Sequence, residues 1–345
     1  MTAWQKLKIY LKIDEALVQG RDHHIDALKG VAIILVVLGH SIQVNNPEFD
    51  RSLLFRVVFS FQMPLFMFLS GYIIHTQLHY SYGEYIRKNS IRLLIPFLVW
   101  HLISYVILRF SQDVSLAAHF WTLIKSPSAG LWFLWVLFLN SALLFGALKF
   151  ARYKNWQHRE NYFVIAAILL SMAASPDFLA LSEFKQYFPY YAAGFFVYKY
   201  LAVIKARRNM IYASALIGFP VLVFGWQRNA FPTFYPALLH MLNNESVARL
   251  IVSVYKYAVS FLGFAFCSFL LERIRGTHVY GFLCWVGTLT LDIYACHSYF
   301  LVIFGRGNVQ YLATAFVGIV LSIALTVIVM KRFKITRLLL LGQNR

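Results

Sequence analysis

Acidic residues are scarce in this chain, with 14 Asp and Glu against 32 Lys and Arg in 345 residues, and charged residues of both signs make up only 13%. Soluble globular domains carry about 25% charged residues. That shortage, with 60% hydrophobic residues and a mean hydropathy of +0.62, excludes a water-soluble globule and makes the bilayer the solvent. Cysteine is nearly missing as well: Cys267, Cys284 and Cys296 lie in apolar runs without metal-ligand spacing, so neither a disulfide framework nor a zinc site is implied. Internal repeats and low-complexity tracts are not apparent, and no segment outside the apolar runs is long enough for a second folded domain. The basic N-terminus lacks a short apolar stretch followed by a small-residue cleavage site, so nothing is expected to be removed from it. The net charge of +18 does not indicate nucleic acid, because its cations come in small clusters between apolar runs of about 20 residues, the span of a hydrocarbon core.

Those runs lie near residues 27–45, 52–74, 93–110, 129–149, 161–176, 187–203, 210–226, 248–271, 281–304 and 309–330. Each reads as a helix, since a lone span must satisfy its own backbone hydrogen bonds. The fifth is short and stops at Ser175-Pro176, which makes it the weakest of the ten. Cytoplasmic loops retain Lys and Arg, and alternate loops divide these residues 22 to eight, with Lys29 and Lys256 inside runs. One miscounted helix would invert the bias for all later loops. The expectation is therefore an all-α polytopic membrane helix bundle of about ten transmembrane helices with both termini cytoplasmic. It is organised as a basic cytoplasmic segment at 1–24, a single transmembrane domain at 25–332 and a basic cytoplasmic tail at 333–345. The connection at 227–247, with Pro232, Pro236 and Asn243-Asn244, reads as the longest and most irregular loop, either a plain connector or a contact for an external substrate.

Ionisable groups inside a span are costly and tend to face an interior cavity. Lys29 and His40, eleven positions apart on the first helix, share one face about 16 Å apart in depth. Two readings stand open: a common groove, or a snorkelling lysine with a structurally hydrogen-bonded histidine. Asp292, near the middle of the ninth run, is the only acidic residue read as deep within a confident span, and it needs a histidine to orient or a cation to pair with. His297, five positions on, lies about 140° round the helix, so the two do not point at one spot. Arg87, Lys88 and Arg92, at the start of the third helix, suit either positive-inside anchoring or phosphate binding. Trp132 suits either an interfacial aromatic belt or stacking on a sugar ring.

Four segments together resemble the membrane-bound acyltransferase-3 family. They are the basic residue, ten residues and His of Lys29 to His40; Phe59-Ser60-Phe61-Gln62-Met63-Pro64 running to Ser70-Gly71-Tyr72; Arg87 to Pro96-Phe97 with Leu131-Trp132-Phe133-Leu134; and Thr290-Leu291-Asp292 to His297. The sequence departs from the family pattern in having Lys29 where Arg is commoner and Gln62 where His is frequent. The resemblance implies transfer of an acyl group, usually acetyl, from cytoplasmic acetyl-CoA to a hydroxyl of a surface polysaccharide or glycolipid at a bacterial inner membrane. It implies no bound cofactor and no metal. On that reading His40 is the base and Asp292 its partner across the bundle. Lys29, Arg87, Lys88 and Arg92 then hold the donor, while His297 and Trp132 contact the acceptor. The competing class is a secondary transporter or flippase for a lipid-linked sugar, which is disfavoured because neither inverted repeats nor broken helices are seen in the sequence.

Overall fold

The computed structural model describes residues 22–109, 115–125, 131–173, 178–228, 231–301 and 310–343. Lys6, Lys8, Lys12, Arg21, Arg306 and Arg345 of the charge count, and the Ser175-Pro176 helix end, lie outside the described residues. Among the described residues there is no strand. The helices are α1 (His23–Asn45), α2 (Leu53–Phe59), α3 (Gln62–Tyr72), α4 (Tyr82–Asn89), α5 (Ile95–Arg109), α6 (Leu116–Lys125), α7 (Trp132–Tyr153) and α8 (Glu160–Ala173). They continue with α9 (Leu181–Lys199), α10 (Leu201–Ala206), α11 (Arg208–Val223), α12 (Tyr235–Leu242), α13 (Glu245–Arg273), α14 (His278–Thr288), α15 (Thr290–Leu301), α16 (Tyr311–Leu325) and α17 (Lys334–Leu341). The chain is thus an all-α polytopic bundle.

Among the described residues, six helical stretches are long and apolar enough to cross a bilayer: His23–Asn45, Leu53–Gln77, Tyr82–Arg109, Trp132–Tyr153, Glu245–Arg273 and Tyr311–Met330. The ninth run, expected as one helix, is instead the pair α14 and α15, bent by 84° at a single-residue break. Counted as one broken span it makes seven. This corrects the expectation that no helix is broken, and with it one argument against a transporter. The fifth and seventh runs form the shorter apolar helices α8 and α11. The sixth is α9, which carries Glu183 and Lys185 and has Pro189 inside it. The 227–247 loop is less irregular than its prolines suggest. Pro236 occupies the first turn of α12, where its missing N–H costs nothing, and Tyr235 anchors that helix by packing with Ala248 and Val252.

The chain divides into two compact units. The first comprises Met1–Phe66 and Ala202–Ala324. Its centre is the packing of α1 on α14, made possible by two glycines. A Cβ on Gly30 would lie 2.0 Å from the Leu283 carbonyl oxygen, and one on Gly287 would lie 1.8 Å from that of Asp26. Small residues let helix backbones meet this closely where lipid supplies no hydrophobic drive for association. Asp22 caps α1, its carboxylate accepting from the amides of His24 and Ile25 at 3.0 and 3.2 Å. The Ser260 hydroxyl of α13 donates to the Ser60 carbonyl at 2.6 Å, which fixes the turn between α2 and α3.

The second unit comprises Met67–Leu201 and Leu325–Arg345. The same device recurs here, since a Cβ on Gly71 would lie 1.8 Å from the Tyr191 carbonyl oxygen. Buried Glu160 on α8 accepts from Arg152 of α7 and Lys199 of α9, each at 3.2 Å, and so ties three helix ends together. Between α4 and α5 the helix widens into a π-helical turn, Ser90–Leu94. Its cause is local: Pro96 has no N–H for the Arg92 carbonyl, and the Ile95 amide reaches back five residues to Ser90. Gly342, in the left-handed conformation at φ +62°, packs on that Arg92 carbonyl, and the Trp100 indole donates to the Leu340 carbonyl at 3.0 Å. The basic C-terminal segment is therefore a docked helix, α17.

Candidate active site around His40

His40 lies in the last two turns of α1, half-buried. Gly39 before it has no side chain, so the Phe59 ring and the Gln62 carboxamide lie directly on the helix. A Cβ at Gly39 would be 2.5 Å from the Phe59 ring and 3.1 Å from Gln62 Oε1. Phe59 meets the His40 imidazole edge-on at 6.0 Å, and the Arg228 guanidinium sits 4.9 Å from the centre of the Phe59 ring. Across from them the His297 ring stands 5.3 Å from that of His40, tilted by 33°.

Hydrogen bonding fixes the tautomer of both imidazoles. His40 Nδ1 is 2.8 Å from the side-chain oxygen of Gln43, which accepts, so the proton is on Nδ1 and the lone pair on Nε2. His297 Nδ1 donates to the Tyr294 carbonyl at 2.8 Å, with the Ile293 carbonyl at 3.2 Å, leaving its Nε2 as an acceptor too. That Nε2, and both ends of the fully buried Gln62 amide, have no hydrogen-bond partner among the described residues. Leaving a buried polar atom unmatched costs about 1–3 kcal/mol. Two acceptor nitrogens with an amide donor beside the same helix suit a ligand bearing a hydroxyl and a carbonyl.

The sequence placed Asp292 mid-helix; the break at Leu289 puts it in the first turn of α15 instead. A helix N-terminus carries partial positive charge, and this favours a carboxylate that is only 1% exposed. The orienting contact of His40 is Gln43, one turn along its own helix. Lys29 has a carboxylate close by that the sequence reading passed over: buried Asp26, three residues earlier, at 3.6 Å. Both Gln43 and Asp26 stand at the i, i+3 spacing that brings helix side chains together, so both were legible signals.

In the second unit the three cations of the third helix part company. Arg87 and Lys88 are exposed, and the Lys88 ammonium sits over the Tyr80 ring at 3.7 Å while donating to its hydroxyl. Arg92 is exposed as well, but it borders a cavity of ≈ 50 Å³ lined also by Ser70, Tyr85, Asn89, Ser141 and Tyr191. Trp132, at the start of α7, is stacked on Tyr187 with ring centres 5.2 Å apart.

A family model described as an acyltransferase domain matches residues 22–331. The chain is 30% identical over 192 residues to nodulation protein NolL of Sinorhizobium fredii, covering 51% of this chain and 48% of that protein. It is likewise 30% identical over 186 residues to nodulation protein NolL of Mesorhizobium japonicum, covering 51% and 47%. The chain thus spans about half the length of the curated relatives it matches. No solved structure matches it. A family match over nine-tenths of the chain, on a bundle that pairs His40 with His297, makes this protein a member of the membrane-bound acyltransferase-3 family.

Proposed function

We propose that this protein is an O-acetyltransferase that moves acetyl from cytoplasmic acetyl-CoA to a hydroxyl of a surface polysaccharide, O-antigen or related glycan at a bacterial inner membrane. The observation that carries this reading is the pair of imidazoles with both Nδ1 atoms held, which leaves Nε2 of His40 as a base. In the reaction His40 Nε2 takes the proton of the acceptor hydroxyl as its oxygen attacks the thioester carbonyl. Collapse of the tetrahedral intermediate breaks the C–S bond, and the protonated imidazole returns its proton to the departing thiolate, giving ester and free CoA. The buried Gln62 amide is suited to donate to the developing oxyanion, work that needs a hydrogen-bond donor and no proton transfer. His297 is the acceptor-side contact, with Trp132 as a second; Lys29, Arg87, Lys88 and Arg92 are the cations for the donor's phosphates. Asp292 supports the imidazoles electrostatically. No resident cofactor is needed, since the donor supplies the activated acyl group, and residues 25–332 act as one catalytic domain.

The test is thiol release from acetyl-CoA by the purified full chain. Release that depends on a carbohydrate acceptor and falls by about 10²–10⁴ in a folded His40→Ala variant supports the proposal. The broken pair α14 and α15 favours a second reading, a flippase for a lipid-linked sugar, because broken helices are common in transporters. Movement of the acceptor across vesicles without loss of acyl groups from CoA would select it.

A further inference from the structure

At the ends of α11 and α13 a cavity of ≈ 400 Å³ opens, well within the range of about 300–1,000 Å³ typical of small-molecule sites. Arg208 reaches it from the first residue of α11 and Arg273 from the last residue of α13. The carboxylate lining it is Glu272, 3.6 Å from Arg208 and already accepting from the Tyr212 hydroxyl at 2.9 Å. Arg273 lies over the Phe269 ring at 4.8 Å, which holds its guanidinium at the rim rather than trailing into water. Two cations and one carboxylate, which pairs with Arg208, leave the cavity lining short of negative charge. Plain anchoring arginines need no common cavity.

The position selects the anion. The charge bias makes this end of α11 and α13 cytoplasmic, and helix ends lie at the depth of the lipid headgroups. Past the arginines the wall becomes apolar at Leu216, and α11 continues outward-facing with Ile217 72% and Val221 65% exposed, a surface for an acyl chain. We propose that this crevice binds an anionic phospholipid of the phosphatidylglycerol type. Its phosphodiester sits between Arg208 and Arg273, and its headgroup hydroxyls meet Asn209 and Glu272. The site is wired to the helix that bears His40. Tyr212 also bonds Ser268 at 3.0 Å, and Ser268 bonds His24 Nε2 at 2.8 Å, in the first turn of α1. The inference is independent of the acyl-transfer reading.

Native mass spectrometry of the detergent-purified full chain tests it, with phosphatidylglycerol, phosphatidylcholine and adenosine 3′,5′-bisphosphate as probes. Phosphatidylglycerol binds in preference to phosphatidylcholine, Arg208→Gln and Arg273→Gln each weaken it about fivefold, and the double variant about 25-fold. Arg249→Gln, at the opposite end of α13, leaves binding unchanged. If the double variant does not fold by circular dichroism, the single variants carry the test. Equal retention of phosphatidylglycerol by the glutamine variants, or equal binding of phosphatidylcholine, overturns the proposal. Displacement of the lipid by the bisphosphate overturns it in favour of a soluble nucleotide.

Discussion

Replacing Gln43 with leucine tests whether His40 acts through a selected tautomer. The side-chain oxygen of Gln43, 2.8 Å from His40 Nδ1, keeps the proton there and the lone pair on Nε2. A neutral hydrogen bond of this kind contributes about 0.5–1.5 kcal/mol net, so its loss lets the competing tautomer in by roughly two- to tenfold. Because the proposed mechanism uses the Nε2 lone pair, kcat for acetyl transfer falls by up to that factor while KM for acetyl-CoA stays put. Gln43→Glu keeps an acceptor, and a charged one bonds more strongly, so it retains most of the activity. The assay is acceptor-dependent thiol release under saturating donor, with His40→Ala alongside. If Gln43→Leu is as damaged as His40→Ala, or not damaged at all, the tautomer argument fails.

Gly287→Ala sets a methyl 1.8 Å from the Asp26 carbonyl oxygen, which is backbone and cannot swing aside; α1 and α14 must part by roughly 1.5 Å. A loss of about 1–3 kcal/mol follows, read as a lower thermal midpoint in detergent, and an unchanged midpoint means the helices do not meet there. Arg92→Gln raises KM for acetyl-CoA by about tenfold, the effect of a lost charge-assisted bond to phosphate, whereas Lys88→Gln changes it by less than about twofold because that ammonium is already held by Tyr80. Equal effects of the two substitutions in steady-state kinetics would return the whole cluster to simple anchoring.

Composition and charge periodicity alone determined that this is a helical membrane protein, because hydropathy and loop charge act along the chain and need no partner. The four segments resembling the family were equally legible, since their order is a property of sequence. Depth along one straight helix was readable as well, which is how Lys29 and His40 were placed on a common face of α1. Only the tertiary structure decided what each of these groups meets. The bend at Leu289 moved Asp292 from mid-span to a helix N-terminus, and no hydropathy window registers a single-residue break between two apolar helices. Arg92 borders a cavity while Lys88 is held over the Tyr80 ring, a distinction invisible in a run of cations. The meeting of His40 with His297 joins residues 257 positions apart, and it depends on helices brought together through glycines such as Gly30 and Gly287. Contacts of that range are set by which backbones can approach, a condition that side-chain polarity along the chain does not encode.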